Sequence, residues 1–180
     1  MSAPAPSRVD EDGFRALFEA HTSFVLRSVR HLGAREADAL DLAQEVFTVA
    51  HEKRAQLDRP DGARSWLYRI CFGVVRNHQR RAQVRREVPT AAPAARETQP
   101  PAPDPVERSQ QRARLRQVLA ALDEDKRAVL VAHAIEEIPM RDVADALSIP
   151  LKTAYSRLYA AKRAAAAAYE ALEAEHRGER

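Results

Sequence analysis

Apolar residues recur at three- and four-residue steps over most of this chain, the period of an α-helix rather than of a strand. Phe14, Leu17, Phe18, Phe24, Val25, Leu26 and Val29 mark one or two stripes that end near Gly33. Leu40, Ala43, Val46, Phe47 and Ala50 make a clear amphipathic helix. The turn-rich stretch LDRPDGA (57–63) breaks the pattern, and Trp66, Leu67, Ile70, Cys71, Val74 and Val75 resume it. An N-terminal domain of three or four helices is expected over 10–86, with Trp66 and Cys71 in its core.

The pattern then stops. Residues 87–106, EVPTAAPAARETQPPAPDPV, hold six of the 11 prolines and neither helical nor alternating periodicity, so they read as a Pro/Ala-rich linker. Fully stretched as polyproline II it would span about 60 Å at ~3.1 Å per residue, the rise of roughly 18 base pairs; a passive spacer fits the composition equally well. A second helical domain is expected over 107–175. Leu115, Val118, Leu119 and Leu122 form one helix, and Val129, Leu130, His133 and Ile138 support another. A short helix with Val143, Ala144 and Leu147 inward, a turn Ser148-Ile149-Pro150, and a longer helix with Ala154, Leu158 and Ala161 inward complete a helix-turn-helix. Pro150 suits the first position of that last helix. The fold class is all-α: two small helical domains and a linker.

Composition agrees: aromatics are 6% of the 180 residues and Gly only five, too few for a sandwich or barrel. The single Cys excludes a disulfide framework and fits a reducing compartment. No run approaches 18 apolar residues and the N-terminus lacks an apolar signal core, so neither membrane insertion nor export by that route is expected.

Net charge is only +3, but it is sorted along the chain. Residues 36–52 carry five acids and no Lys or Arg; 64–86 carry seven Arg and no acid; 146–169 carry two Lys and two Arg and no acid. Asp41, Glu45, Thr48 and Glu52, flanked by Gln44, line one side of the amphipathic helix opposite its apolar stripe. That face forgoes the Glu–Lys pairs that stabilise a solvent-facing helix by ~0.2–0.5 kcal/mol each. Either a partner supplies the cations or the face merely keeps the helix soluble. Arg69, Arg76, Asn77 and Arg80 cluster away from the next stripe, and Arg81, Arg85 and Arg86 extend the charge. Such a row suits a phosphate backbone; five contacts would give a salt slope of about −3.5 to −4.5. Phe72 lies off the inward stripe, placed to stack an unstacked base or to pack on the preceding helix. On the last helix Lys152, Thr153, Tyr155, Ser156, Arg157, Tyr159, Lys162 and Arg163 face outward. In a helix-turn-helix Tyr155, Ser156 and Tyr159 would meet base edges, with Lys152, Thr153 and Arg157 on phosphates; the tyrosines packing on a neighbouring helix is the alternative.

Enzyme chemistry finds no pattern. The six histidines (21, 31, 51, 78, 133, 176) show no HExxH spacing and no partner Cys, and no Gly-rich phosphate loop or nucleophile elbow is present. No metal or cofactor is expected, and His133 reads as a satisfied core residue.

Three segments in order resemble the extracytoplasmic-function (ECF) group of bacterial RNA polymerase sigma factors. Asp41-Leu-Ala-Gln-Glu-Val-Phe47 is similar to the family's Asp-x-x-Gln-Glu/Asp-x-Phe helix, Trp66-Leu-Tyr-Arg-Ile70 with its Arg-rich sequel to the −10 recognition helix, and Ile149-Pro-Leu-Lys-Thr-Ala-Tyr-Ser-Arg-Leu158 to the −35 helix. The resemblance implies that Asp41, Gln44, Glu45, Thr48 and Glu52 contact core RNA polymerase at the clamp helices of its largest subunit, with the flap region a further contact. It implies that the loop Leu57–Ala63, with Asp58 and Arg59, accepts a flipped −10 base. Arg64, Arg69, Phe72, Arg76, Asn77, Arg80 and Arg81 would hold the −10 DNA, and the outward residues of the last helix would read the −35 element of promoter DNA. An anti-sigma factor as regulator and a cytoplasmic location, at the nucleoid in holoenzyme, follow as well. The chain departs from the family at Gly73, where Asn is frequent, at Ser148 for Gly, at Ala154 for Val, and at Tyr155 for a long basic side chain. A sigma factor directing promoter-specific initiation, and not an enzyme itself, is therefore expected. The rivals are a sigma-mimic decoy that sequesters an anti-sigma factor and a stand-alone helix-turn-helix regulator.

Overall fold

The computed structural model describes residues 11–57, 62–87 and 106–178. Asp58 and Arg59, the rest of the loop through 61, and linker residues 88–105 lie outside the described residues, as do the side chains of Arg85 and Arg86. The described residues are helical, with no strand among them. They fall into two compact units, the described residues of Met1–Arg30 and Ala34–Ala92 in the first and those of His31–Gly33 and Pro93–Arg180 in the second.

The first unit is built from α1 (Glu11–His31), α2 (Ala39–Glu52) and α3 (Ala63–Glu87), with 3-10 turns at Glu36–Asp38 and Arg54–Gln56. Gly33, at φ 103°, takes the left-handed conformation that ends α1, and the amide of Ala34 closes back on the Val29 carbonyl at 3.1 Å. Ala39, Leu42, Ala43, Val46, Phe47 and Ala50 form the buried stripe of α2. It packs against α3, where Leu67, Tyr68, Ile70, Cys71, Val74 and Val75 are buried, and meets α1 at Phe18, which lies against Phe47; Phe24, Val25 and Val29 of α1 are buried as well. Two details differ from the sequence reading. Leu40 is 47% exposed, because Ala39, one residue and about 100° earlier, takes the inward place in the first turn. Trp66 is only half-buried, and Tyr68, which the sequence reading did not place in the core, is fully buried instead.

The second unit comprises α4 (Val106–Ala120), α5 (Glu124–Leu130), α6 (Met140–Leu147) and α7 (Leu151–Gly178). Asp123 caps α5, accepting the Lys126 amide at 2.8 Å. Arg127 donates to the Leu119 and Leu122 carbonyls, both at 2.8 Å, satisfying the open end of α4. Burial on α4 falls on Val118 and Leu119, with Leu122 buried just beyond its end, while Leu115 is 36% exposed. α5 runs into a π-helical turn, Val131–Ile135, where the Glu136 amide reaches the Val131 carbonyl at 2.9 Å. That wider turn ends the helix before Ile138, which the periodicity had joined to it but which is buried in the following loop. His133 donates through Nδ1 to the Ile138 carbonyl at 3.0 Å, satisfied as expected but half-buried rather than in the core.

The helix-turn-helix is α6, the turn and α7. Met140, Val143, Ala144 and Ala146 face inward from α6, with Leu147 half-buried. Ser148 makes the turn in the left-handed region, φ 54° and ψ 46°. The Ile149 amide donates to the Ala144 carbonyl at 2.9 Å. Pro150 sits just before α7, its carbonyl accepting from the Ala154 amide at 3.0 Å. Ala154, Leu158 and Ala161 then bury the inner side of α7.

Candidate nucleic-acid and protein interfaces

The stripe on α2 leaves Asp41, Gln44, Glu45, Thr48 and Glu52 exposed on the opposite side. Thr48 donates its hydroxyl to the Gln44 carbonyl at 3.0 Å. Among the described residues no cation pairs with Asp41, Glu45 or Glu52. Beside this face a groove of about 470 Å³ opens between α1 and α2, lined by Phe14, Phe18 and Phe47 and rimmed by Gln44, Thr48, His51 and Glu52. Phe18 lies 4.6 Å from Phe47, ring centre to ring centre, and stays 44% exposed although the stripe placed it inward. Sequence reasoning missed this groove; the exposed rings come from two helices whose stripes meet incompletely.

α3 carries the basic side of the same unit. Arg64, Arg69, Arg76, Asn77, Arg80 and Arg81 are exposed. Arg64 lies over the Phe24 ring at 4.8 Å, and its charge, after burial, holds the neighbouring His21 below the usual imidazole range. Phe72 is half-buried with the Arg76 guanidinium 5.7 Å above its ring. The structure therefore brings the Arg row and Phe72 onto one helix. Asp38, just before α2, meets Arg35 at 2.7 Å and His78 of α3 at 3.3 Å. Burial would raise the Asp38 carboxyl, but the hydrogen bonds and charges of Arg35 and His78 outweigh it and hold the group below its usual value.

On α7, Lys152, Tyr155, Ser156, Tyr159, Lys162 and Arg163 are exposed and Thr153 is half-buried. Tyr155 and Tyr159 are 43% and 64% exposed, one turn apart. Ser156 donates back to the Thr153 carbonyl at 2.9 Å. Arg157 differs from the other cations: its guanidinium meets Asp125 of α5 at 2.7 Å. Nothing in the local sequence pairs these two, which come together only through packing of α5 on α7. The described residues hold no group of three or more His, Cys, Asp or Glu side chains arranged for a metal, and no helix long and apolar enough to cross a membrane.

The described residues thus combine an exposed acidic helix face, an Arg-lined helix and a helix-turn-helix in an all-α protein. Two family models match it in that order: sigma-70 region 2 over residues 17–85 and sigma-70 region 4 over residues 112–164. The chain is 27% identical over 157 residues to the RNA polymerase sigma factor NccH of Alcaligenes xylosoxydans xylosoxydans, covering 85% of this chain and 84% of that one. It is 28% identical over 151 residues to the ECF sigma factor SigL of Mycobacterium tuberculosis, covering 83% and 85%. Among solved structures, CnrH in complex with the cytosolic domain of CnrY shares the fold with a TM-score of 0.66 at 23% identity over 90% of each chain. The sigma factor RpoE in complex with the anti-sigma factor NepR from Bartonella quintana does so at 0.63, with 18% identity over 87% of this chain and 96% of that one. The chain belongs to the sigma factors of bacterial RNA polymerase, in the extracytoplasmic-function group.

Proposed function

We propose that this sigma factor divides promoter-directed initiation among its three charged surfaces. The acidic side of α2, with Asp41, Gln44, Glu45, Thr48 and Glu52, docks on the clamp helices of the polymerase's largest subunit. Arg64, Arg69, Phe72, Arg76, Asn77, Arg80 and Arg81 of α3 hold the −10 DNA, together with Asp58 and Arg59 of the preceding loop. The exposed side of α7 reads the −35 element, and the second unit meets the flap region. The polymerase supplies the chemistry; this chain chooses the site. The observation that carries the reading is the unpaired acidic face of α2 in one compact unit with the Arg row of α3. An anti-sigma partner that covers these surfaces is part of the proposal, supported by the complex in which the RpoE relative is held.

The test is transcription with core polymerase on fragmented genomic DNA of the source bacterium, with transcript 5′ ends sequenced. Discrete start sites that core alone does not give are expected; initiation no better than core alone rejects the reading. Glu45→Arg places a cation on the docking face and should weaken core binding by roughly 100-fold, about 2.7 kcal/mol, through like-charge repulsion. Its circular dichroism should be unchanged, since Glu45 is exposed. Unaltered affinity for core removes the docking assignment. A stand-alone regulator would instead shift a duplex tightly without polymerase, and a decoy would bind an anti-sigma factor but neither DNA nor core.

A further inference from the structure

The cations on α7 are not equivalent. Lys152, Lys162 and Arg163 are exposed, and no described carboxylate pairs with them. Arg157 Nη2 lies 2.7 Å from Asp125 Oδ2, with the two side chains 30% and 49% exposed. Asp125 belongs to the first turn of α5, and Asp123, the cap of that turn, also lies within reach of the Arg157 charge. The Asp123 carboxyl is held below its usual range by its hydrogen bonds from Lys126 first, and by Arg157 in addition. Asp125 thus holds the guanidinium directly, with the Asp123 charge acting on it from farther off, on the flank of the helix proposed to enter the major groove.

We propose that Asp125 makes Arg157 a positioning residue: the pair braces α7 against α5 and withdraws the Arg157 charge from DNA, leaving Lys152, Lys162 and Arg163 as the phosphate-binding cations of this face. The inference rests on the reading of α7 as a DNA-binding helix. A guanidinium that keeps its carboxylate releases no counterion from DNA, whereas each phosphate neutralised by a free cation does. The brace also fixes the rotation of α7 about its axis, which decides whether Tyr155 and Tyr159 or their neighbours meet base edges. The acids of α5 beside it repel a backbone that approaches out of register.

The experiment measures binding of the full-length chain to a random-sequence duplex across a range of salt. Arg157→Gln should leave the slope of log affinity against log salt at the wild-type value. Asp125→Ala should free Arg157, steepening the slope by about 0.9 and adding about 3.5-fold to the tightening between 0.2 M and 0.05 M salt. The double variant should return to the wild-type slope, which shows that the gain runs through Arg157. A slope shallower by about 0.9 in Arg157→Gln overturns the proposal, because Arg157 then already holds a phosphate. So does an unchanged slope in Asp125→Ala, or a steeper one that survives in the double variant. Lys162→Ala with Arg163→Ala separates this from the underlying reading. Loss of up to about 1.8 from the slope is expected; no loss means α7 does not meet DNA, and both fall. A merely structural pair would change the melting temperature but none of these slopes.

Discussion

Gly73 sits inside α3, the helix proposed to hold the −10 DNA, where a glycine costs about 0.8–1.0 kcal/mol relative to alanine. Glycine is required in a helix where the backbone turns left-handed or where another group comes too close for a Cβ. Neither holds at this position: the positive-φ glycine among the described residues is Gly33, and a Cβ built at Gly73 meets nothing within 4 Å. Gly73→Ala should therefore stabilise the first unit by nearly the full propensity difference, about 0.8–1.0 kcal/mol. For a unit of this size that corresponds to a rise of roughly 4–8 °C in its melting temperature. Trp66, the one tryptophan in the sequence, lies half-buried on the same helix, so its fluorescence follows this unit separately from the other. An unchanged or lower midpoint by Trp66 fluorescence refutes the reasoning, since it would mean that α3 is not continuous through position 73 or that the space is occupied. The open site also admits the Asn frequent in the family. Gly73→Asn should add only a few tenths of a kcal/mol, because Asn is a poorer helix former than Ala. It should also strengthen binding to single-stranded −10 DNA, and no gain over Gly73→Ala would show that position 73 does not reach the strand.

Two further outcomes follow from backbone and charge. Ser148 holds a left-handed conformation that costs an L-residue roughly 1–2 kcal/mol, part of which glycine gives back as unfolded-chain entropy. Ser148→Gly should stabilise the second unit by up to about 1 kcal/mol, while Ser148→Val should destabilise it; a melt by circular dichroism that reverses this order contradicts the turn. Asp38 has a folded value below its unfolded 3.8, so its contribution is complete above that value and is lost as pH falls through the lower folded one. Acid unfolding of Asp38→Asn, followed by Trp66 fluorescence, should be less steep below pH 3.8 than that of the parent chain; identical curves would remove Asp38 from the acid response.

The helices and the helix-turn-helix were legible because burial follows the 3.6-residue period closely, as in Leu42, Val46, Ala50 and in Val143, Ala144. What was not legible depends on how helices meet. Trp66 and Tyr68 are adjacent to the same stripe, and only the approach of the neighbouring helices decides that Tyr68 is enclosed and Trp66 half-open. The π turn at Val131–Ile135 shifts the register by a residue without any glycine or proline inside it to announce the change. The candidate residues on α2, α3 and α7 came from charge sorting, and most of them are exposed opposite the stripe. Their partners were not: Asp38 reaches His78, and Asp125 reaches Arg157, only across a packed interface. The groove of Phe14, Phe18 and Phe47 escaped for the same reason.

The arrangement of the first unit bears on how recruitment and DNA contact are related. α2 and α3 share one buried interface, so the acidic face and the Arg row are fixed with respect to each other by Val46, Phe47, Leu67 and Cys71. The Asp38–His78 contact ties the start of α2 to the stretch of α3 that carries Arg76, Asn77 and Arg80 on its other, exposed side. A partner bound to the proposed docking face of α2 would therefore place α3 rather than reshape it, because packed interiors do not deform gradually. Surface charge on α2 and on α3 should then be separable in function: Glu45→Arg should weaken core binding and leave the intrinsic affinity of the Arg row for DNA unchanged. The interface between the helices should not be separable, since any loss there displaces both faces at once.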